Sequence, residues 1–428
     1  MSTLLETLEG FKGLSHPEAL TRWRDGYKAS NTTSGVDVLL IGDSILHGSG
    51  ATDRWIEGFA HQLKLRLQNA LNPSGVVGGW GFVPASDGSA VYGSGTTGSN
   101  LFIISNNAGS GTASYADDVD GCGDRSFSFH NAGTDTYNWL AYNFDQSATT
   151  VAYHREKISE IEVCYKADAA YGTMNIDVST STGATPARTA GSPTLALDQS
   201  VVSGGTWGMR SSAMTVSNTQ AAMRIAIRPP ATSSTVVSLD GIILYNGDYR
   251  AGVRVHTLAN PGSRLESWSD NTLAATIAPF CTMASGGGAR NGKLVIISDV
   301  INSAQSVGAG GSVTATIKAR WKEILEYIAA QPSLPTIMIM FPPKIVIGAS
   351  IASYVTDDNW DEMLNGWRQV VDETNTKYGQ KVACIVDCNQ IPGLNQADQT
   401  DEVHNTSGQQ AQMAEAFASV IIRAAQAD

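Results

Sequence analysis

Residues 36–44 read Val-Asp-Val-Leu-Leu-Ile-Gly-Asp-Ser, an apolar run that closes on a turn sequence. The run from Val36 to Ile41 predicts a buried β-strand. Gly, Asp and Ser favour turns and helix caps, so the chain is expected to bend sharply and to present the hydroxyl group of Ser44 at the carboxyl edge of the strand. Open α/β sheets bind their ligands at this edge. The stretch therefore predicts a core strand and a candidate reactive serine.

The candidate partners of Ser44 lie in the stretch Asp401-Glu402-Val403-His404. A serine hydroxyl is a weak nucleophile until a histidine base accepts its proton, and that base needs a carboxylate to fix its tautomer. Ser44, Asp401 and His404 supply these three groups. Both stretches also occur by chance as ordinary turn sequences. Their placement, after the first predicted strand and before the last predicted helix, favours a catalytic interpretation.

Length and charge limit the classes of protein to which this chain can belong. Its 428 residues exceed one ordinary compact domain, so two domains are expected, and 42% hydrophobic residues suffice for a sizeable core. The formal net charge of -12 argues against nucleic acid as a partner, because nucleic acid attracts basic patches. An oligomer is compatible with this composition.

The composition suits more than one cellular location. No apolar run long enough for membrane insertion is present, and residues 1–13 lack the apolar core of a secretory signal. A composition with only 16% charged residues and many Gly, Ser and Thr suits a virion-associated or extracellular protein, and a cytoplasmic location is the alternative. The five cysteines show no CxxC spacing, which favours small buried residues over disulfides or metal ligands.

Predicted strands and helices alternate in the parts of the chain that precede and follow its middle. After Val36–Ile41, further strands are predicted at 253–258, 294–298, 336–341 and 382–386. Helices are predicted at 54–71, 264–277, 313–330 and 359–377, and a last one after Thr406, where Thr406 and Gln409 have the spacing of a capping box. Strands that alternate with helices indicate a five-stranded parallel sheet in a three-layer α/β/α sandwich.

The middle of the chain follows a different pattern. Short alternating segments with turn residues between them predict strands at 126–130, 139–144, 158–166, 173–178, 223–228 and 236–245. Such a series is typical of a β-sandwich. Residues 238–245 resemble the closing strand of jelly-roll carbohydrate-binding modules. We therefore expect a discontinuous domain at 1–85 and 250–428, interrupted by a β-sandwich domain at 86–249 with a Gly/Ser/Thr-rich leading loop.

The α/β parts of the chain resemble the SGNH (GDSL-type) hydrolase family. The family's first block matches Ile41-Gly42-Asp43-Ser44-Ile45, and its last block matches Asp401-Glu402-Val403-His404 with a Gly four residues on. The second block supplies a glycine N–H after the second core strand, at the position of Gly262. The third block reads Val300-Ile301-Asn302-Ser303 instead of Gly-x-Asn-Asp, so only its Asn is matched.

The resemblance implies a flavodoxin-like fold and a serine esterase that needs no cofactor and no metal. It implies Ser44, His404 and Asp401 as catalytic residues. The donors to the oxyanion would be the N–H of Ser44, the N–H of Gly262 and the side-chain amide of Asn302. The substrate class that we favour is an O-acetyl group on a carbohydrate. The alternatives are a general short-chain carboxylesterase, or a phage-tail or cell-surface glycan-binding protein with a degenerate site.

Other residues carry two interpretations each. His47 and His256 either line the pocket or, as is more common, are structural histidines. An acidic cluster near the start of the middle region either binds a structural calcium ion or forms a solvated loop. Three tryptophans either stack on sugar rings or fill the core. The acidic cluster and the tryptophans are Asp117, Asp118, Asp120 and Asp124, and Trp80, Trp139 and Trp207.

Overall fold

The computed structural model divides the chain into two units. The first contains 1–78, 249–268 and 280–428, and the second contains 79–248 and 269–279. The structure describes residues 8, 11–30, 35–71, 81–85, 102–107, 113–116, 123, 126–129, 139–145, 160–179, 195–200, 206–210, 214–215, 222–229, 235–245, 252–281, 291–308, 312–345, 355–394 and 403–428.

The helices and strands of the described residues are named in chain order. The N-terminal part contains β1 (Leu14–Ser15), α1 (Leu20–Lys28), β2 (Val36–Gly42), α2 (Ser44–His47) and α3 (Phe59–Leu71). The middle part contains β3 (Gly81–Pro84), β4 (Phe102–Asn107), β5 (Ala113–Ala116), β6 (Ser126–Phe129), β7 (Trp139–Asp145), β8 (Glu160–Ala167), β9 (Thr173–Ser179), β10 (Leu195–Asp198), β11 (Thr206–Arg210), β12 (Met214–Thr215), β13 (Ala222–Arg228) and β14 (Val237–Tyr245). The C-terminal part contains β15 (Val253–Thr257), α4 (Asp270–Cys281), β16 (Gly292–Ser298), α5 (Ile301–Val307), α6 (Ala315–Ala329), β17 (Thr336–Phe341), α7 (Asp357–Tyr378), β18 (Ala383–Asp387) and α8 (Ser407–Gln426).

The sheet of the first unit has the order β1-β18-β17-β16-β2-β15 among the described residues. Its five long strands are mutually parallel, and β1 pairs antiparallel with β18 at the edge. The sheet therefore has six strands, one more than the five that we predicted. β1 escaped prediction because two residues are too short for a hydrophobic pattern to appear.

Helices cover both faces of this sheet. α8 lies against α1 and α3, and α6 lies against α7. Right-handed crossovers between parallel strands put these two groups on opposite faces. The helices form because their apolar residues recur on one face. In α6 the buried positions include Ile317, Trp321, Ile324 and Ile328, and the Thr314 side chain caps the first turn by accepting a hydrogen bond from the N–H of Ile317.

Two predicted helices begin more than one turn later in the structure than predicted. The helix predicted from Arg54 begins at Phe59, because Asp53 accepts a hydrogen bond from the N–H of Trp55 and caps a separate turn before Gly58. The helix predicted at 264–277 begins at Asp270 and runs on to Cys281. Its predicted first turns are a short 3-10 helix at Leu265–Ser267, which ends at the extended residue Trp268.

The second unit contains two antiparallel sheets. One has the order β10-β9-β13-β7-β4, and the other has the order β11-β8-β14-β6-β5, with β12 paired to β8 and β3 paired to β14. β3 thus belongs to this unit, although its residues lie within the range that we assigned to the first domain. The jelly-roll-like arrangement of the sheets stays a prediction.

Two general features of the described residues complete the fold. Cys164, Cys281, Cys384 and Cys388 are buried free thiols, and burial raises the pKa of Cys281 and of Cys384 to about 12. Cys122 lies outside the described residues. Within those same residues, no helix has the length and apolar character needed to span a bilayer.

Candidate active site

Three of the predicted site residues follow neighbouring strands of the parallel sheet. β2 lies between β15 and β16, so the chain reverses its direction across the sheet at β2. Ser44 follows β2, Gly262 follows β15 and Asn302 follows β16. Open α/β sheets bind ligands at the carboxyl ends of the strands beside such a switch point. The topology alone therefore brings these three residues to one edge of the sheet.

The turn that carries Ser44 depends on Gly42 and Asp43. Gly42 has a φ of 129°, and a Cβ atom at this position would collide with the carbonyl oxygen of Ser298, so only glycine fits. The N–H of Asp43 donates to that same oxygen at 3.1 Å. The side chain of Asp43 caps α2, because its Oδ1 accepts from the N–H of Ile45 at 3.0 Å. This arrangement presents Ser44 at the first position of α2.

The buried carboxyl group of Asp43 lies close to the ionisable part of the site. Burial raises the pKa of Asp43 to about 6, although hydrogen bonds from Ile45, Val300 and Ser298 and the charge of His404 lower it. Asp43 therefore caps the serine turn and lies within electrostatic reach of His404.

His404 is the partner of Ser44 in the structure. Its Nε2 lies 2.9 Å from the Oγ of Ser44, a hydrogen-bonding distance. His404 stands just before α8, whose first turn is capped by Thr406, since the Thr406 Oγ accepts from the N–H of Gln409. Asp401 lies outside the described residues, so its predicted contact with His404 stays a prediction. The structure brings together the candidate nucleophile and the candidate base.

Gln410 holds the histidine loop, which we define as residues 403–406, against the serine turn. The side chain of Gln410 is 0% exposed on α8. Its Nε2 donates to the carbonyl oxygens of Ser49 at 2.7 Å and of Asn405 at 3.3 Å. Its Oε1 accepts from the N–H of Phe59, the first residue of α3, at 2.8 Å. One amide group therefore connects the histidine loop, the segment after Ser44 and the start of α3.

Gly50 allows the same two segments to approach closely. Its φ is 91°, and a Cβ atom at this position would meet the Asn405 carbonyl oxygen at 2.6 Å and the His404 Cβ at 2.7 Å. Any larger residue would both strain the backbone and push the histidine loop away. The distance between His404 and Ser44 therefore depends on a glycine as well as on Gln410.

Gly262 and Asn302 lie in the strand-end loops, which we define as residues 258–264 and 299–302. The first loop is fixed to the serine turn, because the N–H of Asn260 donates to the carbonyl oxygen of Gly42 at 2.9 Å. Gly262 is exposed and has a φ of 81°. The Nδ2 of Asn302 donates to the carbonyl oxygen of Ser263 at 3.2 Å. An amide carries two N–H donors, so Asn302 can hold this loop and donate to a ligand as well.

His47 and His256 occupy structural surroundings. The Nδ1 of His47, in the buried α2, lies 3.1 Å from the Nη1 of Arg54. His256 is fully buried within the sheet, and its Nε2 lies 2.8 Å from the Oδ1 of Asp37. Burial alone would raise the pKa of Asp37, but Arg254 and His256 hold it well below its usual range. His256 therefore belongs to a buried ion network within the sheet and not to the strand-end loops.

The remaining candidates contribute nothing to the described site. Asp117, Asp118, Asp120, Asp124 and Trp80 lie outside the described residues. Trp139 and Trp207 belong to β7 and β11 of the second unit. Across the described part of the chain, no three His, Cys, Asp or Glu side chains gather in a way that could hold a metal ion.

Gln410 and Gly50 did not emerge from the sequence as candidate site residues. Gln410 follows the capping position Gln409 and looks there like an ordinary helix residue. Gly50 belongs to the short Gly48-Ser49-Gly50 segment after the serine. Two glycines so close to a candidate nucleophile are the one local signal that another segment approaches the backbone there.

Comparisons with known proteins identify a shared fold. No model of a known protein family matches the sequence. No curated protein matches it either. A solved structure described as "Peptidoglycan O-acetylesterase in action, 5 min" is 14% identical over 94% of each chain, with a TM-score of 0.57. A family two carbohydrate esterase from Clostridium thermocellum, in complex with cellohexaose, is 10% identical over 71% of this chain and 95% of that one, with a TM-score of 0.29. The first likeness shows that this chain has the same fold as a solved peptidoglycan O-acetylesterase.

Proposed function

We propose that this protein is a serine esterase in which Ser44 is the nucleophile and His404 is the general base. The observation that carries the proposal is the 2.9 Å distance between the Nε2 of His404 and the Oγ of Ser44. The two atoms meet at the carboxyl edge of a parallel sheet, at its switch point, where open α/β sheets bind ligands. Asp401, three residues before His404, is proposed to fix the histidine tautomer.

The proposed reaction proceeds through an acyl-enzyme. Ser44 Oγ attacks the ester carbonyl carbon while His404 takes the serine proton. The tetrahedral oxyanion then collapses, the bond to the alcohol breaks, and His404 returns the proton to the leaving alcohol. Water repeats the sequence on the acyl-serine and releases the acid. The oxyanion is proposed to be bound by the N–H groups of Ser44 and Gly262 and by the side-chain amide of Asn302.

The substrate that we propose is an O-acetyl group on a carbohydrate. The fold shared with a peptidoglycan O-acetylesterase extends over 94% of both chains, and so includes the second unit as well as the first. This breadth supports a glycan ester more than it supports an ester of another class, because the alignment is not confined to the parallel-sheet unit.

The experiment that tests the function compares wild type, Ser44→Ala and His404→Ala on p-nitrophenyl acetate, butyrate and octanoate, with chelator present. We expect acetate turnover in wild type and none in the variants. A second arm measures acetate release from acetylated glycans, including O-acetylated peptidoglycan. Turnover of aryl esters without acetate release from any glycan would favour a general short-chain carboxylesterase. Glycan binding without any ester turnover would favour a binding protein with a degenerate site.

A further inference from the structure

A buried carboxyl group, Asp299, is the first residue of the second strand-end loop. It follows β16, and its side chain is 0% exposed. Its Oδ2 accepts two hydrogen bonds, from the N–H of Leu265 at 3.2 Å and from the indole Nε1 of Trp321 at 2.8 Å. Its main-chain oxygen accepts from the Nε1 of Trp367, whose ring stacks on that of Trp321 at 4.1 Å. The carboxyl group is therefore held firmly, with one oxygen already saturated by N–H donors.

The other oxygen of Asp299 takes part in a chain of three groups. Its Oδ1 lies 2.6 Å from the Oγ of Ser303, on α5. The same Ser303 Oγ also lies within hydrogen-bonding distance of the Oε2 of Glu266. A serine hydroxyl has one proton and can donate it to one acceptor only. Both contacts are full hydrogen bonds when one of the two carboxyl groups carries a proton and donates it to Ser303.

The surroundings decide which carboxyl group carries the proton. Asp299 is fully buried, whereas Glu266 is half-exposed and its second oxygen accepts from the Oγ of Ser306 at 2.8 Å. An ionised carboxylate is costly in the interior and much less costly at the surface. Burial and the neighbouring Glu266 raise the pKa of Asp299 well above its usual range. Burial therefore favours the proton on Asp299.

We propose that Asp299 is a neutral carboxylic acid that donates to Ser303, which in turn donates to the Glu266 carboxylate, and that this chain positions the strand-end loops for catalysis. The second part rests on the proposed function. Asp299 holds Leu265, next to the loop of Gly262, while Ser303 is the neighbour of Asn302. One proton therefore connects the two segments that carry the proposed oxyanion donors, and Asp299 is a positioning residue.

The hydrogen bonds that connect Asp299, Ser303 and Glu266 should break when Asp299 loses its proton. Ionised Asp299 would face the Glu266 carboxylate across Ser303 and the Asp43 carboxylate from the serine turn, both of which raise its pKa. The neighbours from α5, α6 and α7 are the neutral side chains of Ser303, Trp321 and Trp367. With no cation among these partners, two like charges would repel across one hydroxyl group, and the strand-end loops would separate.

The test compares wild type, Asp299→Asn and Asp299→Ala, with Asp361→Asn on the exposed face of α7 as the matched control. An asparagine reproduces the neutral acid, since its oxygen can accept from Leu265 and Trp321 while its NH2 donates to Ser303. We expect Asp299→Asn to keep kcat on p-nitrophenyl acetate within about twofold and to resist alkaline loss of activity better than wild type. Asp299→Ala should lower kcat about 100-fold with a smaller change in KM, because the donors are displaced.

A second readout does not depend on activity. Folded Asp299 keeps its proton at pH values where the unfolded chain has released it, so the stability of wild type should fall relative to Asp299→Asn as pH rises above about 4. Thermal unfolding midpoints measured between about pH 4 and pH 9 should therefore diverge, while Asp361→Asn stays parallel to wild type. A difference between the midpoints of wild type and Asp299→Asn that stays constant across this range would overturn the proposal that Asp299 is neutral.

The two readouts separate the possible failures. Asp299→Asn that is as inactive as Asp299→Ala at every pH would overturn the neutral acid, and full activity in both variants would overturn the positioning role. If wild type hydrolyses no ester, the proposed function fails, while the unfolding midpoints still decide whether Asp299 carries the proton.

Discussion

The histidine loop and the strand-end loops are fastened by different chemistry. Gln410, a neutral amide, holds the histidine loop through Ser49, Asn405 and Phe59. The strand-end loops are held by the Asn302 amide and, in addition, by a carboxyl group, since Asp299 accepts from Leu265 and contacts Ser303. An amide does not titrate, whereas a buried carboxyl group changes its hydrogen bonding when it ionises. The comparison predicts that the contacts that hold the histidine loop are indifferent to pH, whereas those that hold the strand-end loops respond to it.

Ser44→Ala has the largest expected effect, because it removes the proposed nucleophile on which both the histidine loop and the strand-end loops act. Loss of the nucleophile in comparable serine enzymes costs about 10⁶-fold in kcat. We expect a loss of this order on p-nitrophenyl acetate at every pH, since neither the histidine loop nor the strand-end loops can act without the hydroxyl group. Ser419→Ala, on the half-exposed face of α8, is the matched control. Residual turnover close to that of the control would mean that Ser44 is not the nucleophile.

Asn302→Ala tests the strand-end loops directly. The loss of one oxyanion donor typically lowers kcat about 100- to 1000-fold, and we expect this loss with little change in the unfolding midpoint. Asn365→Ala, on the exposed face of α7, is the control. Steady-state kinetics and thermal unfolding measure the two quantities. An unchanged kcat would remove Asn302 from the site and leave its bond to Ser263 as its only role.

Asp43→Asn tests the carboxyl group of the serine turn. Because burial raises the pKa of Asp43 from 3.8 to about 6, the folded state binds a proton that the unfolded chain releases above about pH 4. Wild type should therefore lose about 3 kcal/mol of unfolding free energy relative to the variant between pH 4 and pH 6 and no more above it. Urea unfolding across this range measures the difference. A difference that does not change with pH would contradict the raised pKa.

Gln410→Leu tests the amide that holds the histidine loop and has the smallest expected effect of the four substitutions. It leaves the buried N–H of Phe59 without its partner, which costs about 1–3 kcal/mol of stability. The displaced histidine loop should lower kcat about 10- to 100-fold. Because an amide does not titrate, the ratio of wild-type to variant kcat should stay constant with pH. A ratio that varies with pH would contradict the predicted difference between the Gln410 amide, which does not titrate, and the Asp299 carboxyl group, which does. Gln412→Leu, exposed on α8, is the control.

The parts of the fold that local patterns encode could be predicted, and those that depend on distant contacts could not. The apolar run Val36–Ile41 and the glycine after it predict a strand and a turn, and Thr406 predicts the start of a helix. β4 and β5 were missed because their surroundings are rich in Gly, Ser, Thr and Asn, which resembles a loop. Gln410 was missed because its partners lie far away in the chain.

Asp299 shows the same limit within the site. The sequence shows an acidic residue after a strand, where a solvated turn is the ordinary expectation. Only the folded chain reveals that two indole groups and Ser303 surround it. The chemical identity of a group can thus be predicted from the sequence, whereas its protonation depends on neighbours that the sequence does not place.

The most direct test of the central claim, that His404 activates Ser44, is labelling with a fluorophosphonate followed by mass spectrometry of the peptides. The serine oxygen attacks phosphorus, fluoride leaves, and the histidine takes the proton, so no knowledge of the natural substrate is needed. The account predicts one phosphonyl group on Ser44 in wild type, none on Ser44→Ala and strongly slowed labelling in His404→Ala. Labelling at another residue, or at Ser44 with a rate indifferent to His404→Ala, would contradict it.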